Sequence, residues 1–151
     1  MFRGFSAISL DAKGRLAIPS RYRERLTGSG QGVVVATLNP FDLCAWLYPL
    51  SEWELIDAKL QDLPSDRSSR RARQMMRAYA YDCELDRQGR ILLPQALREF
   101  AGLEKDVAVL GQGNKLEVWD ARRWEEQRAD WLKALEDTSG EPSNALSNLS
   151  L

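Results

Sequence analysis

Asp11 with Arg15, around Gly14, and Asp86 with Arg90, around Gly89, are the two places where residue types and spacing could do chemistry. Two carboxylates can divide the acid and base roles of a hydrolase, which makes Asp11 and Asp86 the first pair to weigh. Each has an arginine four residues on, not an apolar wall that would raise its pKa. No spacing designates a further catalytic partner, and the chain contains no histidine, the commonest general base near neutral pH. The expectation is therefore a protein that is not an enzyme. Cys44 and Cys83 are the only thiols and cannot complete a four-ligand zinc site; no HxH, HExxH or CxxC element is present. Both sit among strand-like residues, as buried small hydrophobes do. The glycines of Gly28-Ser29-Gly30-Gln31-Gly32 are not followed by Gly-Lys-Ser/Thr and complete no GxGxxG, so they read as a mobile connection. No metal or cofactor is expected.

The other chemistry these residues offer is binding. Lys13 and Arg15 flank Gly14, and Arg87 and Arg90 flank Gly89, with Gln88 where the first copy has its lysine. A two-stranded ribbon can enter the major groove of DNA. There, lysine and arginine neutralise phosphates, while Arg15 or Arg90 could make a bidentate contact to guanine. The residues also allow a second reading, in which Arg15 and Arg90 bond to Asp11 and Asp86 and lock the turns with no partner involved. With a net charge of -1, long-range attraction to a polyanion cannot come from the whole molecule and needs cations gathered on one face.

The elements that position these residues occur twice. Leu10-Asp11-Ala12-Lys13-Gly14-Arg15-Leu16-Ala17-Ile18-Pro19 returns as Leu85-Asp86-Arg87-Gln88-Gly89-Arg90-Ile91-Leu92-Leu93-Pro94, from Leu10 to Leu85 an offset of 75. Tyr22-Arg23 answers to Leu97-Arg98 at the same offset, and Trp53 falls on Trp124 after a shift to 71. Two copies imply a pseudo-twofold pair of modules, not a solenoid. In each, a strand runs into an aspartate whose carboxylate can accept backbone N–H groups, and a glycine takes the left-handed position of a bulged hairpin. The strand then resumes, proline stops it, and a short helix follows, with Ser20 expected as N-cap in the first copy. Val33–Thr37 and Leu43–Tyr48 read as strands about a turn at Asn39-Pro40-Phe41-Asp42; Asp106–Leu110 and Leu116–Trp119 are their counterparts.

Pro49 opens a helix with Leu50, Trp53 and Leu60 on one side, and Asp120 can cap another, with Trp124, Arg128, Trp131 and Leu135 in line. Between the halves, Asp66–Arg77 is a helical stretch. Its Ala72, Met75, Met76 and Tyr79 suit burial, and Arg67, Arg70, Arg71, Gln74 and Arg77 point elsewhere. At 151 residues the chain suits two intimately packed halves better than two separate cores, since a module of about 65 residues alone would be marginal. The divisions expected are residues 1–64, a helical connection over 65–79, a second module over 80–137, and a disordered tail over 138–151, where Ser and Asn replace apolar residues. There is no apolar run long enough for a membrane span. Met1-Phe2-Arg3-Gly4-Phe5 carries no cleavage signature, so a cytoplasmic protein is expected.

Met1-Phe2-Arg3-Gly4, the doubled Asp-x-x-x-Arg, Tyr48-Pro49-Leu50-Ser51-Glu52-Trp53 and Glu84–Pro94, in this order, strongly resemble the MraZ family over roughly residues 1 to 135. The resemblance implies tandem SpoVT-AbrB-like swapped-hairpin modules. The expected fold is thus mainly β with flanking helices, a pseudo-twofold β-barrel built from two internal repeats. It also implies ring-like homo-oligomers, association with the nucleoid, and repression of the bacterial division and cell-wall gene cluster. Its DNA would be double-stranded promoter DNA, including its own promoter, with short G-rich direct repeats. The family's motif aspartates fall on Asp11 and Asp86, its motif arginines on Arg15 and Arg90, its basic loop residue on Lys13 and its basic amino-terminal residue on Arg3. Gln88 makes the second loop the weaker phosphate ligand. The competing reading is a ring-forming scaffold that binds another protein without specific DNA contact, using Arg70, Arg71, Arg73 and Arg77.

Overall fold

The structure, a computed structural model, describes residues 1–28, 32–137 and 144–150. Its first half runs β1 (Phe5–Ser9), β2 (Arg15–Ala17), α1 (Ser20–Thr27), β3 (Val33–Leu38), β4 (Ala45–Pro49) and α2 (Leu50–Gln61). After α3 (Arg67–Ala78) the same order returns as β5 (Tyr81–Glu84), β6 (Arg90–Leu92), α4 (Gln95–Ala101), β7 (Asp106–Gly111), β8 (Leu116–Asp120) and α5 (Ala121–Glu136). The Gly28–Gly32 connection lies partly outside the described residues. So does most of the tail from 138, of which the one-turn α6 (Asn144–Ser147) is described.

Prolines and aspartates begin the helices by different means. Pro19, Pro49 and Pro94 hold extended backbone, with ψ of 136°, 145° and 139°, immediately before α1, α2 and α4. Proline's fixed φ suits that change of direction. No side chain caps these three helices, and Ser20, expected to cap, is instead the first residue of α1. Asp66 and Asp120 do cap, their carboxylates accepting the N–H of Ser69 and of Arg123 at 3.0 Å, so α3 and α5 have defined starts.

The strands pair mostly with the other half. β1 lies antiparallel to β7, with Phe5 opposite Leu110, and β5 lies antiparallel to β3, with Val33 opposite Glu84. Exchanging the halves converts one pairing into the other. β4 pairs with its own counterpart β8, and β2 with its counterpart β6. The result is a six-stranded sheet in the order β1-β7-β8-β4-β3-β5 and a separate two-stranded sheet of β2 and β6.

This corrects the expected fold. The chain is a mixed α/β protein, not a mainly β one, because its helices, up to 16 residues long in α5, hold more of the described chain than strands of three to six. Nor is it a closed β-barrel. Among the described residues β1 and β5 are the outer strands of the large sheet, and no ladder joins either to β2 or β6. β2 and β6 are each three residues long and are stopped by prolines, so they have no length left to bridge that gap. Alternation in sequence specifies which face of a strand is buried, not whether the sheet's edges meet.

A single core fills the space between the halves. Leu16 and Ile91 stand opposite each other in the small sheet and are both buried, while Arg15, Ala17, Arg90 and Leu92 alternate outward. Ile18, Leu93 and Leu97 continue the core into Leu47 and Leu116 of the large sheet. Cys44 and Cys83 are buried within it, and loss of hydration pushes their thiols up to about 12 and about 11, which keeps them protonated and unreactive. Because the halves share this core, Leu93→Ala is expected to cost about 2–5 kcal/mol. In urea unfolding it should lower the midpoint of one common transition; two separate transitions would contradict the shared core.

Candidate nucleic-acid interface

Each hairpin is held by one carboxylate. Asp11 Oδ1 accepts the backbone N–H of Lys13 at 3.0 Å and of Arg15 at 2.9 Å, and Asp11 Oδ2 takes the Arg15 Nε at 2.5 Å. Gly14 N–H bonds to the Asp11 carbonyl at 3.0 Å and Asp11 N–H to the Arg15 carbonyl at 3.1 Å, closing the turn. The second copy repeats this: Asp86 Oδ1 accepts from Gln88 and Arg90 backbone at 2.9 Å, and Asp86 Oδ2 from Arg90 Nε at 2.9 Å. Gly14 and Gly89 sit at φ of 85° and 76°, where a side chain would be strained. The bond of each motif arginine to its aspartate is therefore made, and made through Nε, one of the guanidinium's five N–H donors.

The two loops are tied into one unit. Ile18 N–H donates to the Gly89 carbonyl at 2.9 Å, and Leu93 N–H to the Gly14 carbonyl at 3.1 Å. Arg90 also reaches across the halves, its Nη1 lying 3.8 Å from Asp11 Oδ2. No equivalent pair from Arg15 to Asp86 is formed among the described residues, so the halves are not equal.

The structure adds two arginines. Arg23 on α1 bonds through Nε to the Ile18 carbonyl at 2.8 Å, and Arg98 on α4 likewise to the Leu93 carbonyl at 3.0 Å. Each guanidinium lies against the other half's hairpin. A Cβ built on Gly14 would fall 2.5 Å from the Arg98 guanidinium carbon, and one on Gly89 would collide with the guanidinium of Arg23. Each glycine thus holds a left-handed backbone that disfavours a side chain and also lies directly against a guanidinium of the other half. The signal for both arginines was in the repeat, where Tyr22-Arg23 matches Leu97-Arg98, but sequence spacing could not show that helix and loop meet across the halves.

Lys13 and Arg87 are exposed at the two tips, and Arg15 and Arg90 are half-buried beside them. With Arg23 and Arg98, six basic residues lie on or against the two hairpins; Glu104 lines the cleft that holds Asp11, Gly14 and Arg98, but neither Arg23 nor Arg98 forms an ion pair among the described residues. Arg3 is not brought to this cluster. It is exposed beside Arg21 and Arg25 of α1, and its carbonyl accepts the Tyr22 hydroxyl. Among the described residues no group of His, Cys, Asp or Glu could hold a metal ion, and no helix is long and apolar enough to cross a membrane.

Basic side chains on paired hairpins offer positive charge and N–H donors to an anionic partner. Comparison with known proteins gives the particular family. The family described as "MraZ protein, putative antitoxin-like" matches residues 1–75 and again residues 76–141. The protein "Transcriptional regulator MraZ" of Thioalkalivibrio sulfidiphilus is 49% identical over 152 residues, covering 100% of both chains. Its namesakes in Halorhodospira halophila and Marinomonas sp. are 47% and 49% identical, the second over 93% of this chain and 95% of its own. The chain belongs to the MraZ family.

The hairpins set a pH dependence. The backbone N–H of Arg15 is the first cause holding the Asp11 carboxyl at about 2, below its usual 3.8, and burial opposes it; the Arg15 guanidinium and Lys13 N–H add to the lowering. Asp86 is lowered in the same way, first by the Arg90 N–H. A carboxylate lowered on folding stabilises above its unfolded pKa, and that contribution is lost as pH falls through the folded value. Thermal unfolding followed by circular dichroism should therefore show the wild type losing stability from about pH 4 to about pH 2. Asp11→Asn should start lower at neutral pH and fall less over that interval; parallel curves would remove Asp11 as the cause.

Proposed function

We propose that this protein is a sequence-specific DNA-binding transcriptional regulator that reads duplex DNA with its paired hairpins. The single observation that carries this reading is the gathering of Lys13, Arg15, Arg87 and Arg90 on two hairpins that are bonded to each other and hold Arg23 and Arg98 against their glycines, in a chain whose net charge is -1. Full-length relatives named as transcriptional regulators support it.

In this reading Asp11 and Asp86 shape the tips, Gly14 and Gly89 let the partner helices approach, and the outer guanidinium nitrogens of Arg15 and Arg90 face a base edge. Lys13 and Arg87 neutralise phosphates, Lys13 more effectively than Gln88 at the matching position. Arg3 is a separate phosphate contact beside Arg21 and Arg25. The DNA is the promoter of the division and cell-wall gene cluster and of the protein's own gene, bound at short G-rich direct repeats as a repressor. The protein would accordingly act in the cytoplasm on the nucleoid. The two modules, 1–64 and 80–137, joined through 65–79, present two related but unequal surfaces.

Repeated sites call for repeated readers. We place self-association in a ring-like homo-oligomer on the outer part of α5, where Trp131 and Leu135 are 62% and 60% exposed in line with half-buried Trp124. Joining several weak readers raises the effective concentration of each later contact. The same exposed stripe favours the second reading, a protein-binding scaffold without specific DNA contact. Light scattering that finds a monomer at all concentrations would remove the ring.

Titration of labelled upstream DNA against scrambled duplex separates the readings. Arg15→Ala should abolish discrimination, since a bidentate base contact contributes roughly 1–3 kcal/mol per site and a multimer compounds the loss. Lys13→Ala should weaken both duplexes alike and reduce the salt slope by about one. Equal wild-type affinity for the two duplexes would defeat sequence-specific reading.

A further inference from the structure

We infer that α3 is a second, sequence-independent binding site for nucleic-acid phosphates, distinct from the hairpin tips. Its 12 residues hold five arginines and no acid. Two of the five are committed to the fold. Arg73 Nη1 donates to the carbonyls of Leu60 and Leu63 at 3.2 and 3.5 Å, closing the end of α2, and Arg77 Nε pairs with Asp57 at 2.7 Å. Arg67, Arg70 and Arg71 are exposed and form no ion pair among the described residues.

These three stand with Gln74 at positions i, i+3, i+4 and i+7, on one helical face about 10 Å long. The face borders two adjoining open clefts, one lined by Arg67, Arg70, Arg71, Arg73, Gln74 and Arg77, the other by Asp66, Arg67, Ser68 and Arg71. Concentrating like charges on so short a stretch is unfavourable unless something negative comes to it.

The chemistry of the face distinguishes a polyanion from a protein. The core of a protein interface is depleted in charge and built on aromatic and aliphatic anchors. None of the exposed large hydrophobic side chains lies on α3. Arginine, serine and glutamine are the donors that hold phosphate oxygens, and they position a duplex without reading it. The guanidinium forks suit phosphate geometry, and phosphates on one strand are spaced closely enough for a face about 10 Å long to meet more than one.

This inference rests on the reading of the protein as DNA-binding, and the test separates the two. The variant with Arg67→Gln, Arg70→Gln and Arg71→Gln, all exposed, is compared with wild type on upstream and scrambled duplex over a range of salt, with circular dichroism to confirm folding. Expected is a fall in affinity of about tenfold or more on both duplexes, discrimination unchanged, and a salt slope reduced by about 0.9 for each phosphate that is no longer neutralised. The corresponding Arg→Lys triple should retain most of the affinity. Unchanged affinity and slope in the Gln triple, with wild type still discriminating, overturns the α3 site alone. Wild type that binds both duplexes equally and a triple that binds neither would support the α3 site while defeating the hairpin reading, and wild type that binds neither defeats both. A triple that keeps DNA affinity but changes mass in light scattering reassigns α3 to an interface between copies and overturns the inference.

Discussion

The carboxylate of Asp11, with that of Asp86, is the constraint from which the shape of the paired hairpins follows. One side chain gathers two backbone N–H groups and an arginine Nε within five residues, so the turn is shaped by hydrogen bonds to a charge, which are stronger than neutral ones. The direction of Lys13 and Arg15 is settled by the same bonds. Were the turn looser, the Gly14 and Gly89 carbonyls could not accept from Leu93 and Ile18, and the two tips would not share one surface. The core repeats the dependence from below, since Leu16 and Ile91 bury the inward side of the strands whose outward side carries Arg15 and Arg90.

Arginine performs different tasks here that its chemistry keeps apart. In Arg15 and Arg90 it closes a turn through Nε. In Arg23 and Arg98 the same atom is tied to a carbonyl while the planar group lies over a glycine of the opposite hairpin, a site that lysine's tetrahedral ammonium could not fill. In Arg73 and Arg77 it fastens α3 to α2. Only after these structural bonds are assigned does the remaining charge, on the tips and along α3, become interpretable as a surface for a polyanion.

Much of this was legible in the residues. The aspartate, glycine and arginine of each turn have local causes, and their bonds span no more than four residues, so sequence spacing was enough to find them. Asp66 and Asp120 were readable as helix starts for the same reason; Ser20 was not, because Pro19 already turns the chain and the serine falls one position inside the helix. Sheet closure and the placement of Arg23 and Arg98 depend on which strands of one half meet the other, and no local pattern encodes that. The helix of tryptophans shows the same limit: Trp124 packs on Trp119, but Trp131 lies beyond the end of the core, so one uniform stripe in sequence divides into a packed and an exposed part.

The exchange of strands between halves has a consequence for biosynthesis. Phe5 belongs opposite Leu110, so β1 leaves the ribosome and must wait while roughly 100 more residues are made, on the order of 5 to 20 s. During that delay Val34 and Val35 of β3 also lack the neighbour that β5 will provide. A nascent chain with such deferred partners exposes apolar strands longer than one that folds in order, and that interval is when aggregation competes with folding.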